Sequence, residues 1–239
     1  MNLALIGYGK MGKTIESIAS KRGHNVRLKI SSSNSDQLNA KNLNECDVAI
    51  EFTGPESAAS NIRTCLEAGI PVISGSTGWL HRLNEIEDLC RERNGTFLYA
   101  SNFSIGVNIF FELNMKLARL MAAQKEYNVS IEEIHHTQKK DAPSGTAITL
   151  AEQIIKESEV KTAWTINEEE RDEEKIRIRS VRKDPAPGTH RIVYASPVDD
   201  IEIIHTAHNR EGFATGAVIA AEYAFKRKGV LSMKEVLGF

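Results

Sequence analysis

The chain of 239 residues lacks features that mark several classes of protein. Its 30 basic residues nearly balance its 32 acidic ones, so the composition indicates no nucleic-acid-binding surface. Only three cysteines occur, Cys46, Cys65 and Cys90, and their spacing gives neither a CxxC pair nor a zinc-binding pattern. We therefore expect reduced, mostly structural thiols and a cytoplasmic location.

Long apolar runs and targeting signals are also lacking. No run approaches the roughly 18 apolar residues that a membrane-spanning helix needs. The N-terminal segment is apolar only as far as Ile6 and has no basic region, so no signal peptide is predicted. With 41% hydrophobic residues and no repeats, the chain is long enough for one or two compact domains.

The N-terminal part alternates predicted strands with predicted helices. The strands are Leu3–Gly7, Asn25–Ile30, Cys46–Phe52, Pro71–Ser74 and Thr96–Ala100, and the helices are Met11–Arg22, Glu56–Ala68 and His81–Arg93. Such alternation indicates crossover connections and a parallel sheet. The polar segment 31–45 has no clear period and predicts a shortened crossover.

The pattern changes after Ser101. Predicted helices are Ile105–Ala122, Thr146–Glu157 and Gly212–Arg227, and predicted strands are Tyr127–His136, Lys175–Arg182, His190–Ser196 and Ile201–Ala207. Consecutive strands favour an antiparallel or mixed sheet. We predict an α/β protein: a Rossmann dinucleotide-binding domain of residues 1–103, completed by C-terminal helices in 214–239, and a smaller α+β domain of residues 104–213. The charged stretch Glu168–Lys175 predicts a solvated loop.

A GxGxxG motif, Gly7-Tyr8-Gly9-Lys10-Met11-Gly12, follows the first predicted strand directly. Gly7 permits a tight turn, Gly9 lets the backbone approach a pyrophosphate, and Gly12 allows close packing of helix on strand. The N-terminus of the next helix offers free N–H groups to phosphates. The motif therefore predicts a dinucleotide site.

The second predicted strand lacks the acidic residue that usually binds a ribose hydroxyl. Ser31, Ser32 and Ser33 follow Ile30 instead, and Arg27 or Lys29 could add positive charge. Our hypothesis is that NADPH is accepted at least as well as NADH. Segments 51–56 and 75–78 follow later strands, so we expect them on the nicotinamide side of the cleft, and Ala100–Phe103 can contact the cofactor and act as a hinge.

Groups suited to proton transfer precede a helix start in the segment 133–147. His135 and His136 are neighbours on a predicted strand, so they face opposite sides and serve different tasks. Asp141, Pro143 and Ser144 predict the helix entry, with a capping residue and a proline in the first turn. The amides near Gly145 and Thr146 would then be donors for a carboxylate. His205 and His208 have no ligand partners in the pattern, so no metal site is predicted.

These residues give the sequence a resemblance, along its whole length, to the 4-hydroxy-tetrahydrodipicolinate reductase (dihydrodipicolinate reductase) family. The motifs that carry it are Gly7–Gly12, Phe52–Thr53, Gly75–Gly78, Asn102–Asn108 and above all His135–Ala147. The resemblance implies an oxidoreductase that reduces 4-hydroxy-tetrahydrodipicolinate, a small cyclic dicarboxylate, to tetrahydrodipicolinate with NADPH or NADH. It also implies a place in diaminopimelate and lysine biosynthesis and a homotetramer joined through its substrate domains.

The resemblance implies roles for individual residues as well. His135 matches the family's general acid/base, Lys139 its second proton donor, and the substrate-binding positions are His136, Gly145 and Thr146. Nucleotide contacts fall on Gly7, Tyr8, Gly9, Lys10, Met11, Gly12, Gly75, Ser76, Thr77, Ala100, Ser101, Asn102 and Phe103. The sequence departs from the family at Glu51, Ser76 and Trp79, where Asp, Thr and Phe are common.

Two alternatives remain. A related Rossmann amino-acid or amine dehydrogenase would share the N-terminal half, but the segment His135–Ala147 argues against it. A non-catalytic NADPH-binding regulatory protein would not need the proton donors His135 and Lys139.

Overall fold

The computed structural model describes residues 1–169, 171–209 and 211–239. The chain forms two compact units, one made of Met1–Ile105 with Glu211–Phe239 and the other of Gly106–Arg210. Of the stretch predicted to be a charged loop, Glu170 lies outside the described residues, and its other members as far as Glu174 are exposed. No helix within the described ranges is long and apolar enough to cross a membrane.

The elements have the following bounds. The strands are β1 (Asn2–Ile6), β2 (Asn25–Ile30), β3 (Val48–Glu51), β4 (Val72–Ser74), β5 (Thr96–Tyr99), β6 (Asn128–His135), β7 (Ala163–Thr165), β8 (Lys175–Arg182), β9 (Gly188–Ala195), β10 (Asp200–Ala207) and β11 (Gly229–Leu231). The helices are α1 (Lys10–Lys21), α2 (Ala40–Leu43), α3 (Ala58–Glu67), α4 (Leu83–Glu92), α5 (Ile105–Met121), α6 (Gly145–Glu157), α7 (Glu211–Ala224) and α8 (Met233–Leu237). Short 3₁₀ turns lie at Ser35–Gln37 and Leu80–Arg82.

The first unit is built on a parallel six-stranded sheet in the order β11-β5-β4-β3-β1-β2. Alternate residues of β1 supply both faces: Ala4 and Ile6 join a core with α3 and α4, whereas Leu3 and Leu5 join a second core with α1 and α7. Helices on both faces explain why the strands are continuously apolar. The carboxyl ends of β1, β3 and β4 therefore share one edge of the sheet.

The second unit is built on a mixed five-stranded sheet in the order β10-β9-β6-β8-β7. Strands β6, β8 and β7 run parallel, and β9 is antiparallel to both β6 and β10. Helices α5 and α6 pack on one face, where Phe110 and Leu150 meet Val129 and Ile131. Together with the parallel sheet, this confirms the predicted α/β fold class.

Two short strands, β7 and β11, were not predicted, and the short helices α2 and α8 were given no bounds of their own. Each has five residues or fewer, too short for a hydrophobic period to show. Strand β6 was predicted with imperfect alternation, yet every second residue of it is buried. The pattern is hidden in the sequence because two of its buried residues, Glu133 and His135, are polar.

Candidate active site

The glycine motif forms a tight turn between β1 and α1. Gly7 has φ 99°, and a Cβ there would lie 1.9 Å from the Phe52 carbonyl oxygen. A Cβ on Gly12 would lie 2.4 Å from the Gly7 carbonyl oxygen, so helix and strand touch backbone to backbone. Both positions therefore require glycine, as the motif predicted.

The space above α1 suits a phosphate. Gly9 is the N-cap, makes no side-chain capping bond, and a Cβ added to it would meet nothing within 4 Å. The helix thus presents its amides and its positive dipole end to an open region. A dinucleotide pyrophosphate fits these residues, with Gly9 giving it room.

The positive charge of Lys29, near the end of β2, is partly neutralised. The Lys29 ammonium lies 2.6 Å from the Glu16 carboxylate and 5.0 Å from the centroid of the Tyr8 ring. The Tyr8 hydroxyl also donates to Glu16. The Ser31 hydroxyl donates to the Asn34 side-chain oxygen at 3.0 Å, so part of the serine loop is folded on itself. Lys29 therefore offers less net charge to a cofactor than its sequence position suggested.

A buried carboxylate organises the edge beyond β3 and β4. Glu51 is fully buried and accepts hydrogen bonds from the hydroxyls of Ser74 at 2.6 Å and Ser76 at 2.9 Å. Its Oε1 also accepts from the Thr53 amide at 3.0 Å and from the Thr53 hydroxyl. The Trp79 indole N–H donates to the Ser76 carbonyl at 2.7 Å. Because the Ser76 side chain is occupied in this way, a cofactor at segment 75–77 would meet mainly backbone and Thr77.

The segment after β5 is packed into the same unit. Asn102 and Phe103 are buried, and Ala100 and Ser101 are more exposed. A Cβ on Gly216 of α7 would lie 1.7 Å from the Phe103 carbonyl oxygen. The backbone of α7 therefore fixes the position of this predicted cofactor-contact segment.

In the second unit, the end of β6 places an imidazole beside a carboxylate. Glu133 is fully buried and His135, two residues on and on the same face, is 8% exposed. The His135 Nε2 atom lies 3.5 Å from Glu133 Oε2 and is buried. A Cβ on Gly188 would lie 2.9 Å from His135 Cε1, so the ring rests against backbone that only glycine provides.

Hydrogen bonds from three further residues hold Glu133. The Ser180 hydroxyl and Arg182 Nη2 donate to its Oε1 at 2.8 and 3.1 Å, and the Ser144 amide donates to its Oε2 at 3.0 Å. Burial alone would raise the pKa of Glu133, but the nearby His135 ring and the hydrogen bonds from Ser144 and Ser180 outweigh it and hold that pKa well below its usual range. The carboxylate is therefore charged beside His135.

A second histidine completes this cluster. The His190 ring lies edge-on to His135 with centroids 5.1 Å apart. Burial, followed by the nearby His135, lowers the pKa of His190 to about 3. The Ser144 hydroxyl accepts from the Ala147 amide at 3.2 Å and lies 3.1 Å from His190 Nε2. His190 is therefore neutral beside Glu133, and its Nε2 shares a hydrogen bond with the Ser144 hydroxyl whose direction depends on the ring tautomer.

The loop after β6 carries Lys139. Its ammonium lies 2.9 and 2.8 Å from the two Asp141 carboxylate oxygens. Arg182 Nη2 donates to the Asp141 carbonyl at 2.5 Å, and the Thr137 hydroxyl donates to Asp184 at 2.5 Å. Strand β8 and the segment after it therefore tether the loop at both ends. His136, the first residue beyond β6, is partly exposed.

The start of α6 differs in detail from the prediction. Ser144 is the N-cap and Pro143 precedes the helix, so the proline does not lie in the first turn. Asp141 pairs with Lys139 and does not cap the helix. Gly145 and Thr146 are the first two helical residues, and a Cβ on Gly145 would meet nothing within 4 Å. The first turn of α6 therefore still faces open space at Gly145.

Glu133, His135 and His190 lie close enough, within 4.8 Å of one another, to be considered as metal ligands. The Arg182 guanidinium already supplies a positive charge 3.1 Å from Glu133. A second cation there would be repelled, so proton transfer suits the cluster better than metal binding. His205, which the sequence pairs with His208 as a possible ligand, packs its ring against Phe110, with ring centroids 5.9 Å apart.

Sequence reasoning missed the residues that support the predicted ones. Glu51 and Glu133 lay within predicted site segments but were assigned no role, and Arg182 and His190 were not among the candidates, although both lie close to Glu133 or His135. For Glu133 a signal was present, because an acidic residue stood at an inward position of a predicted strand. Arg182 and His190 lie about fifty residues further along the chain, and nothing local connects them to the site.

Comparison with known proteins matches both halves of the chain. The N-terminal model of dihydrodipicolinate reductase matches residues 1–103, and the C-terminal model matches residues 106–237. The 4-hydroxy-tetrahydrodipicolinate reductase of Christiangramia forsetii is 49% identical over 239 residues, covering 99% of this chain and 98% of the relative. That of Methanocaldococcus jannaschii is 32% identical, covering 98% and 81%.

Solved structures agree in fold. A dipicolinate-bound dihydrodipicolinate reductase from Paenisporosarcina sp. TG-14 has a TM-score of 0.77 and 24% identity over 98% of both chains. An amine dehydrogenase from Mycobacterium smegmatis has a TM-score of 0.63 at 11% identity, covering 98% and 95%, a likeness of fold alone. With both family models and the curated relatives in agreement, the chain belongs to the dihydrodipicolinate reductase family.

Proposed function

We propose that the protein reduces 4-hydroxy-tetrahydrodipicolinate to tetrahydrodipicolinate with NADPH or NADH, as a cytoplasmic step of diaminopimelate and lysine biosynthesis. One observation carries the proposal: β6 ends in a buried histidine beside a charged carboxylate, and a lysine and the start of α6 follow within the segment 135–146. These groups can move a proton and bind an anion, which the reduction of a cyclic dicarboxylate needs. Family membership supplies the identity of that dicarboxylate.

The cofactor, when bound, supplies the hydride. The turn at Gly7–Gly12 would hold its pyrophosphate, and the segments 75–77 and 100–103 would contact it further along. Within the turn, Tyr8, Lys10 and Met11 are the predicted contacts between the glycines. The Glu51 hydrogen bonds fix segment 75–77 in place before binding, so less ordering is needed when the cofactor arrives.

His135 and Lys139 would manage the proton. As hydride reaches the conjugated carbon of the substrate, electrons move toward the ring nitrogen and the product requires a proton. His135 would donate it, with the charged Glu133 3.5 Å from its Nε2 atom to orient the ring. Lys139 would stabilise the dianionic substrate and act as the second donor, exchanging its Asp141 partner for the substrate.

His136, Gly145 and Thr146 would bind the substrate. Gly145 leaves room for a carboxylate at the first turn of α6, and Thr146 adds a hydroxyl. The helix dipole favours an anion at this end. His136 would contact the same substrate from the end of β6.

We further propose that NADPH is accepted at least as well as NADH. Ser31–Ser33 contain no acidic residue that would repel the 2′-phosphate of NADPH. The serine hydroxyls of this loop can donate hydrogen bonds to that phosphate. Because Glu16 neutralises Lys29, we expect no exclusive preference for NADPH. A comparison of kcat/KM for both cofactors tests this, and a strong preference for NADH would contradict it.

A homotetramer is the proposed assembly. Helices α5 and α6 cover one face of the mixed sheet, and the other face displays Ile204, which is 55% exposed, beside the Arg179–Glu132 and Arg191–Glu202 pairs. An exposed apolar side chain beside paired charges suits self-association. Light scattering coupled to size exclusion gives the oligomer order directly.

The reaction itself is tested by a coupled assay. Aspartate semialdehyde and pyruvate, with the upstream synthase, generate the substrate, and loss of NADPH or NADH absorbance is followed on adding this protein. We expect consumption that depends on both the synthase and this protein. A rate equal to a blank without this protein would refute the assignment.

A further inference from the structure

We propose that Glu133 is a positioning residue that holds the imidazole of His135 for proton transfer, and that Arg182 links Glu133 to the loop carrying Lys139. This inference rests on the proposed function, since it takes His135 as the proton donor. It goes further by naming what sets the donor's orientation and charge. The argument stands on the hydrogen bonds of Glu133 and on the geometry around His135.

The position of Glu133 calls for an explanation beyond packing. It lies between Ile131 and His135 on the buried face of β6, where an apolar side chain would be expected. Burying a carboxylate costs several kcal/mol unless it is fully paired, and an apolar residue of similar volume often stabilises such a site better. A fully buried charge kept at this position, in reach of an imidazole, therefore points to an electrostatic task.

Of the two histidines beside Glu133, only His135 is placed to use its charge. His190 Nε2 is 3.8 Å from Glu133 and lies closer, at 3.1 Å, to the Ser144 hydroxyl, with which it shares a hydrogen bond. His135 Nε2 is 3.5 Å from the same carboxylate oxygen and has no hydrogen-bond partner among the described residues. A small movement of the ring would complete a charge-assisted bond that favours the protonated imidazole.

Glu133 and Arg182 also tie the proton donors to the anion site. Glu133 accepts from the Ser144 amide, directly before α6, and Arg182 donates to the backbone carbonyl of Asp141, the residue whose side chain pairs with Lys139. One carboxylate–guanidinium pair therefore fixes both ends of the segment 141–144. A substrate held at Gly145 would meet His135 and Lys139 already placed.

The charged and titratable groups around His135 come from three strands and one loop. They are Glu133 on its own strand, His190 on β9, Arg182 on β8, and Lys139 with Asp141 in the following loop. Among them only Glu133 brings a negative charge within 4 Å of the His135 ring nitrogens. Removing that charge should therefore disfavour protonated His135 in the active enzyme.

The test is Glu133→Gln in the full-length protein, with Glu152→Gln as the control. Glu152 is exposed on α6 of the same unit, away from both the cluster and the proposed association face. We expect kcat of Glu133→Gln to fall about 10- to 100-fold, part of what a positioned acid contributes, with KM for the cofactor unchanged. The activity of a proton donor falls as pH rises, so loss of Glu133 should move this alkaline limb to lower pH.

Glu133→Asp separates charge from shape. It retains the carboxylate one methylene further from His135, so we expect a lowered kcat but an alkaline limb nearer to wild type than that of Glu133→Gln. This variant also serves if Glu133→Gln fails to fold. Circular dichroism and cofactor binding establish that each variant is folded.

Each outcome decides the inference. A folded Glu133→Gln with wild-type kcat and pH profile, or a loss no larger than that of Glu152→Gln, overturns it. A lowered kcat with an unmoved alkaline limb in every folded variant assigns Glu133 a structural role only and also overturns it. Failure of the wild-type protein in the coupled assay would instead refute the proposed function.

Discussion

Among the described residues, each unit buries one glutamate near the carboxyl end of a strand, and the two carboxylates have different kinds of partner. The donors that the structure gives to Glu51 in the first unit are all neutral, namely the Thr53 amide and the hydroxyls of Thr53, Ser74 and Ser76. Glu133 in the second unit accepts from a guanidinium as well and lies beside two histidines. Both are fully buried, so burial alone does not distinguish them.

The difference teaches what each charge can do. Neutral donors fix Glu51 without giving it a partner that gains or loses a proton, so it acts as a brace for the turn that would contact the cofactor. Glu133 faces an imidazole whose charge it can bias. We therefore expect changes at the Glu51 cluster to appear in stability and cofactor binding, and changes at the Glu133 cluster to appear in kcat and in pH dependence.

The largest expected effect comes from removing the ammonium group of Lys139 in the second unit. Lys139→Ala should lower kcat by roughly 10²- to 10⁴-fold if Lys139 is a true proton donor, while cofactor binding at the first unit is unchanged. Steady-state kinetics in the coupled assay measure this. Lys140→Ala, at the exposed neighbouring position, is the control and should keep wild-type activity. Equal activity of the two variants would remove Lys139 from the mechanism.

Changing Glu51 in the first unit should have a smaller effect, and that effect should appear in stability and cofactor binding. Glu51→Gln replaces one acceptor oxygen by an NH₂ group, which leaves a donor facing a donor and should cost about 1–3 kcal/mol of the free energy of unfolding. Denaturant unfolding measures the cost, and Glu56→Gln at an exposed position is the control. KM for the cofactor should rise and the pH profile of kcat should stay in place. A moved alkaline limb would break the comparison between the two glutamates.

The sequence predicted what depends on local pattern. The turn at Gly7–Gly12 requires glycine at Gly7 and Gly12, for the reasons given by the motif. The fold class and the family are confirmed, whereas the roles of His135 and Lys139 stay predictions. The strands β7 and β11 were missed because three residues show no period.

The residues that hold Glu133 could not be predicted, for a different reason. Ser180 and Arg182 reach Glu133 across 47 and 49 residues of chain, through the pairing of β6 with β8. Register between distant strands is set by the packed face of the whole sheet, and no short segment encodes it. The sequence could therefore predict the proton donor but not the carboxylate's other partners.

The pH dependence of stability sharpens the comparison further, with the smallest expected effect. The folded pKa of His190 is about 3, below its ordinary 6.5, so its contribution to stability is complete above about pH 6.5 and is lost as pH falls toward 3. Glu133, whose pKa is also lowered, adds to the loss below its ordinary range near 4.5. For one proton the slope is at most about 1.4 kcal/mol per pH unit.

The variant His190→Gln measures the part of the pH dependence of stability that comes from His190. Urea unfolding at a series of pH values should show the variant's free energy of unfolding changing less than wild type between about pH 6.5 and 4.5. His208→Gln, at an exposed position, should retain the wild-type slope. The Glu51 cluster has only neutral donors, so Glu51→Gln should lower the curve without flattening it in this window. Flattening by Glu51→Gln equal to that by His190→Gln would show that the first unit also titrates, and the contrast between the two buried carboxylates would then fail.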